Sequence, residues 1–267
     1  MKDFKVCIRG AGDLATGIGL RMYNSGFNIV MTDIEIPTTV RRTVAFSRAV
    51  YEKSAVVEGV EAVFCKSLDD IKKAHSEEKI AVIVDLDKKI QKEYAPDIII
   101  DAIIAKKNIG TSIDEARVVV AVGPGFVVGK DCMAVVETKR GHSLGKVILE
   151  GSAIPNTGIP GNIGGFTKER LISSECAGVF KSNAKIGDIV KKGDIVAYVD
   201  KTPVLAKIDG VVRGMLQDFI KVSKGFKLGD IDPRANIEHC FSISDKARAV
   251  GGGALEAVMY LLFRKKS

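Results

Sequence analysis

Gly10, Gly12 and Ala15 stand in the run Lys5-Val-Cys-Ile-Arg-Gly-Ala-Gly-Asp-Leu-Ala-Thr-Gly17, spaced as G-x-G-x-x-A. That spacing suits the cradling of a phosphate. Gly10 allows a tight turn, Gly12 lets backbone approach a pyrophosphate, and Ala15 is small enough for a helix to settle on the preceding strand. Asp13 and Leu14 would open that helix, whose first N–H groups and partial positive charge attract anions. Asp33 ends the next apolar run, Ile29-Val-Met-Thr-Asp33, about twenty residues on, where an acid can hold ribose hydroxyls. Arg41 and Arg42 follow within reach of that strand end and could meet a second phosphate. The plainer alternatives are a phosphate-free turn and surface charge.

Further residues with chemical capacity gather after later apolar runs. Asp101 closes Asp97-Ile-Ile-Ile-Asp101, and Lys106 and Asn108 come next, able to hold an anion. Gly123 and Gly125 flank Pro124 after a valine-rich run. Glu137, Arg140 and His142 lie together in Glu137-Thr-Lys-Arg-Gly-His142. Arg140 is an anion ligand by type, and His142 beside Glu137 offers acid–base capacity. The catalytic candidates are therefore His142, Glu137, Lys106 and Asp101. No set of residues has metal-ligand spacing, so no metal site is expected.

Positioning these residues requires strands whose carboxyl ends share one edge. Val6–Arg9, Ile29–Asp33, Val60–Phe64, Ile80–Asp85, Asp97–Ala102 and Arg117–Val122 read as such strands, with a short helix at Leu68–Ser76. Continuous Val/Ile runs of this kind indicate strands covered on both faces, hence a mostly parallel sheet. Ligands of such sheets sit beyond the strand carboxyl ends. Pro37 suits the first turn of a helix toward Phe46. Residues 123–165 form a glycine-rich connector, with strands at Met133–Val136 and Lys146–Leu149.

Beyond Ser173 a shift of 32 residues pairs Gly178 with Gly210, Val190 with Val222, Gly193 with Gly225 and Asp200 with Asp232. The repeat resembles the biotinyl/lipoyl-like barrel-sandwich hybrid, in which two strand-rich halves fold over each other. Lys201, at the tip between the halves, lacks a carrier lysine's flanking methionines. At the end, Ala247, Val250, Ala254, Val258 and Leu262 share a helical face, with Ser244 as N-cap. Gly251-Gly-Gly253 must either break that helix or admit something very close to its backbone.

Composition narrows the class. Hydrophobic residues are 46% and charged residues 27% of the 267, as in globular proteins. The net charge of +7 is spread over lysine pairs, and the chain has no Trp, so a stacking nucleic-acid surface is not expected. No run approaches the roughly 20 apolar residues of a membrane span. The five scattered cysteines and the absence of a leader before the glycine motif suit the cytoplasm.

Arg9-Gly-Ala-Gly-Asp-Leu-Ala-Thr-Gly17, Asp101-Ala-Ile-Ile-Ala-Lys-Lys-Asn-Ile-Gly-Thr111, Gly123-Pro-Gly-Phe126 and Glu137-Thr-Lys-Arg-Gly-His142 resemble one family. So do Pro155-Asn-Thr-Gly-Ile-Pro-Gly161, Leu228-Gly-Asp-Ile-Asp-Pro-Arg234 and Ile243-Ser-Asp-Lys-Ala247. This is the accessory (maturation) protein family of selenium-dependent molybdenum hydroxylase systems. The resemblance implies an α/β fold: a Rossmann-like parallel-sheet domain, then a small all-β barrel-sandwich hybrid module and a C-terminal helix. The expected boundaries are 1–165, 166–236 and 237–267. The implied ligand is phosphate-bearing, NAD(P) or a molybdopterin dinucleotide, and the implied partner is a molybdenum hydroxylase client, with room for a homo-oligomer. An NAD(P)-dependent oxidoreductase and a non-catalytic assembly scaffold are the alternatives, and whether a reaction is catalysed stays open.

Overall fold

The computed structural model describes residues 1–156, 158 and 161–264. Thr157, Ile159 and Pro160 of the Pro155–Gly161 stretch lie outside the described residues. The chain forms two units. The first comprises Met1–Pro37, Ala45–Thr157 and Ile243–Ser267, and the second Thr38–Val44 and Gly158–Ser242.

In chain order the first unit contains β1 (Lys5–Arg9), α1 (Asp13–Asn24), β2 (Asn28–Asp33), α2 (Arg48–Glu52), β3 (Ser54–Val57) and β4 (Val60–Cys65). Next come α3 (Leu68–Ser76), β5 (Ile80–Val84), α4 (Lys89–Tyr94), β6 (Ile98–Asp101), β7 (Val118–Val122), β8 (Ala134–Val136) and β9 (Val147–Ile148). The nine strands make one sheet in the order β3-β4-β5-β2-β1-β6-β7-β8-β9. β4 to β8 with β1 and β2 run parallel, and their apolar runs are buried because both faces are covered. The edge strands β3 and β9 run antiparallel to their neighbours.

The second unit holds β10 (Leu171–Ser173), β11 (Gly178–Ser182), β12 (Ile189–Val190), β13 (Ile195–Val199) and β14 (Thr202–Leu205). It continues with β15 (Gly210–Met215), β16 (Lys221–Val222), β17 (Lys227–Asp232) and α5 (Glu238–Phe241). Two four-stranded antiparallel sheets result, β10-β17-β15-β12 and β14-β13-β11-β16. The 32-residue shift carries β11 onto β15, β12 onto β16 and β13 onto β17, and the halves exchange strands, since β12 pairs with β15 and β16 with β11. Neither half can bury its apolar face alone. Phe180, Val196, Val199, Val212, Met215 and Leu228 form the shared core, which Val40 joins from the 38–44 segment.

These observations correct the expected fold class. The large sheet is mixed, and the second unit is a pair of antiparallel sheets with a short helix, to which 38–44 from the first third of the chain belongs; a Rossmann-like domain followed by a barrel-sandwich module is not supported. The helix expected after Pro37 is also absent: 38–44 belongs to the second unit, with only a short 3-10 turn at Arg42–Val44.

The last helix, α6 (Asp245–Phe263), lies in the first unit and runs unbroken through the three glycines. The Ser244 hydroxyl caps it by accepting from the Ala247 N–H. Two of its three glycines, Gly251 and Gly253, serve close packing. A Cβ on Gly17 of α1 would lie 2.6 Å from the Ala247 carbonyl oxygen, and one on Gly251 would lie 2.5 Å from that of Gly17. Gly253 likewise faces the Gly145 carbonyl. Three glycines cost a helix about 1 kcal/mol each relative to alanine. Burial of Ala247, Val250, Ala254, Ala257 and Val258 offsets that cost.

Candidate functional site

The glycine motif forms the turn between β1 and α1. Gly10 sits at φ +92°, donates its N–H to the Thr32 carbonyl at 2.7 Å, and would place a Cβ 2.9 Å from the Ala102 oxygen. Only glycine fits there. Gly12 is different: at φ −67° it is the N-cap of α1 and supplies no side-chain cap. Asp13 and Leu14 begin the helix, half-buried. Asp33 clamps the turn. One carboxylate oxygen accepts from the Ala11 N–H at 3.0 Å and the other from the Ile34 N–H at 2.8 Å. Burial pushes this carboxyl up, against the pull of those two bonds. Both Asp33 oxygens thus serve the backbone, where the sequence reading gave them to ribose.

At the end of β6 Asp101 is buried in a polar network. It accepts from the Thr111 hydroxyl at 2.5 Å and the Ile103 N–H at 3.2 Å. Arg9, buried one strand away, reaches the Thr111 Oγ1 at 2.5 Å and both Gln91 Oε1 and Glu115 Oε1 at 2.8 Å. Lys88 meets Glu115 at 2.7 Å. Burial opposes ionisation of Glu115, but the hydrogen bonds from Arg9, Lys88 and the Ser112 N–H prevail and hold it at about 2. Asn108 braces the loop: its Oδ1 accepts from Gly110 and Thr111, and its Nδ2 donates to the Thr111 carbonyl and Asp131. Asp101 and Asn108 therefore organise this edge.

The same loop stores strain. Ile104 at φ +59° and Lys106 at φ +64° adopt the left-handed region, which is unfavourable for a β-branched residue above all. Such strain persists where surrounding structure imposes it, and it clusters at ligand-binding edges. Gly125 lets the neighbouring loop close on this one, for a Cβ there would lie 2.6 Å from the Lys107 nitrogen. Gly123, at φ +84°, faces the Thr138 hydroxyl in the same way.

Glu137 and His142 do not form the expected acid–base pair. Glu137 is buried and accepts from three backbone N–H groups, Thr138 and Lys139 at 2.7 Å and Ile154 at 2.8 Å, whereas His142 is exposed. Arg140 forms a two-pronged pair with Asp245 at 2.5 and 2.9 Å. Arg41 belongs to the second unit, where it donates to the carbonyls of His239 and Ser242.

One residue escaped the sequence reading. Lys246, half-buried in the first turn of α6, is pushed down by burial and by Arg140, while Asp13, Glu137 and Asp245 pull it back. Its position was itself a signal. A lysine in the first turn opposes the helix dipole and needs a local reason.

No family model matches the chain. It is 49% identical over 257 residues to the uncharacterized protein YqeB of Escherichia coli (strain K12), covering 96% of this chain and 48% of that protein. The chain thus spans about half the length of this curated relative. Among solved structures it is similar to an aspartoacylase family protein from Mesorhizobium loti, at TM-score 0.27 and 9% identity over 79% of this chain and 58% of that one. A succinylglutamate desuccinylase from Silicibacter sp. gives TM-score 0.25 and 11% identity over 85% and 84%. These low scores establish no common fold or activity. The assignment drawn from the motifs is nevertheless corrected: the sequence relative is uncharacterized, and nothing in the comparisons supports a maturation factor of selenium-dependent molybdenum hydroxylases or an NAD(P)-dependent oxidoreductase.

Proposed function

We propose that the first unit binds a small phosphate-bearing ligand over the Gly10–Gly12 turn. The observation that carries this reading is the start of α1. Gly12 leaves the helix end without a side-chain cap, and the half-buried cation Lys246 lies within electrostatic reach of Asp13, the next residue. Backbone N–H groups, helix dipole and a lysine together favour a phosphate group. Asp33 and Ala102 hold the turn in shape, and the strained Ile104–Lys106 loop borders it, since Gly10 approaches Ala102 and Ile103. Asp101 and Glu137 are held by hydrogen bonds to their surroundings, so the proposal is binding, with no proton transfer assigned.

No helix among the described residues is long and apolar enough to cross a membrane. We place the protein in the cytoplasm because its five cysteines are all unpaired, four of them buried.

Native mass spectrometry of the purified chain tests the binding reading. A phosphorylated small molecule should accompany the wild type and be absent from Gly12→Val and Lys246→Met. Equal occupancy in all three, or none in the wild type even after incubation with phosphorylated metabolites, would count against it.

A further inference from the structure

In the second unit, two arginines meet two aspartates of β17. Arg170 immediately precedes β10, and Arg213 sits at the irregularity where β15 shifts register against β17 between Val212 and Gly214. Such bulges re-aim a side chain. Arg170 is 7% exposed, Arg213 6%, Asp230 5% and Asp232 0%.

The arginine contacts are long for such buried charges. Arg170 reaches Asp230 at 3.4 Å and the Gly161 carbonyl at 3.2 Å, and its buried Nε has no acceptor among the described residues. Arg213 reaches Asp232 at 3.5 Å and the His239 carbonyl at 3.3 Å. Charge-assisted N–H···O bonds ordinarily measure about 2.7–2.9 Å. The cause is visible at Asp232: Arg234 holds that carboxylate at 2.6 and 2.9 Å, and its backbone N–H adds a third bond at 3.1 Å. Asp232 is already satisfied, and burial, which opposes its charge, is outweighed by Arg234 so that it stays ionised down to about 2.

We infer that Arg170 and Arg213 form a site for a small oxyanion of the phosphate type. Arg170 precedes β10 and Arg213 lies on β15, and the buried Arg170 Nε–H is a donor that neither aspartate fills. A tetrahedral dianion presents several acceptor oxygens that two guanidinium forks can share, and its charge answers theirs. The site lies within the second unit and is independent of the glycine turn.

The test uses the Gly12→Val chain, which removes the glycine-turn site from consideration. Inorganic phosphate is titrated in while the arginine Nε–H signals are followed by nitrogen–proton NMR, with Arg170→Lys identifying the Arg170 signal. Saturable movement of the Arg170 signal is expected, with an affinity weakened about tenfold or more in Arg170→Lys, which keeps the charge but loses the fork. Arg213→Lys supplies a second variant should the first fold poorly. No saturable movement, or phosphate affinity unchanged in both lysine variants, would overturn the site.

Discussion

Gly251 of α6 stands over Gly17 of α1 so closely that a Cβ on Gly251 would lie 2.5 Å from the Gly17 carbonyl oxygen and 2.9 Å from the Arg21 side chain. Its neighbour Gly252 has nothing within 4 Å of the same position. Adjacent glycines of one helix should therefore respond oppositely to alanine. Gly251→Ala should lose about 1–3 kcal/mol through overpacking, despite a propensity gain of about 1 kcal/mol. Gly252→Ala should keep that gain. Urea denaturation of the two variants measures the difference, and equal shifts would mean the helices are not in this contact.

The glycine turn separates in a similar way. Gly10→Ala combines a left-handed φ with a clash at Ala102 and should destabilise the fold by about 1–3 kcal/mol. Gly12→Val meets no such backbone constraint, because φ is −67°, and should melt within a few degrees of the wild type while losing the bound ligand. Thermal melts paired with native mass spectra distinguish the two effects. A Gly12 variant that unfolds would show that this residue is there for packing.

Glu137 gives a stability prediction where the sequence suggested catalysis. Glu137→Ala leaves three backbone N–H groups without their acceptor, at about 1–3 kcal/mol for each that water does not reach. Glu137→Gln retains an acceptor for Thr138 and Lys139 and should recover most of the loss. Denaturant midpoints decide it; two equal and small effects would release Glu137 for another role.

Glu115 makes the fold acid-sensitive. Its ordinary value of 4.5 is lowered to about 2 in the folded chain, so its contribution is present above about pH 4.5 and is lost as pH falls toward 2. Glu115→Gln should cost on the order of 2 kcal/mol at neutral pH, after allowance for partial exposure, and progressively less below pH 4. Stability measured from pH 7 to 3 should show the two proteins converging. A constant gap would place the effect outside this titration.

The individual strands of the large sheet were legible where both faces are buried, since Ile29–Asp33, Ile80–Val84, Ile98–Asp101 and Val118–Val122 carry continuous apolar runs. At the edges, β9 falls within the strand read at Lys146–Leu149, whereas β3, four residues with one exposed valine, was not read as a strand. The family assignment failed for a related reason: Gly10, Gly125 and Glu137 close loops onto backbone and Gly123 closes onto the Thr138 side chain, tasks many unrelated folds share. The position of Lys246 in a first turn was legible, but its grouping with Asp13 and Glu137 was not, because these come from distant parts of the sequence.

The route of the chain also sets an order of events during synthesis. The glycine face of α1 is made early in this stretch, but α6, which covers it, follows only after all of Gly158–Ser242 has been made. The second unit, apart from its 38–44 strap, is contiguous and can form its two sheets while α1 still waits. A nascent chain halted before Ile243 would thus carry the whole of the β unit's sequence and a helix whose small-residue face is bare.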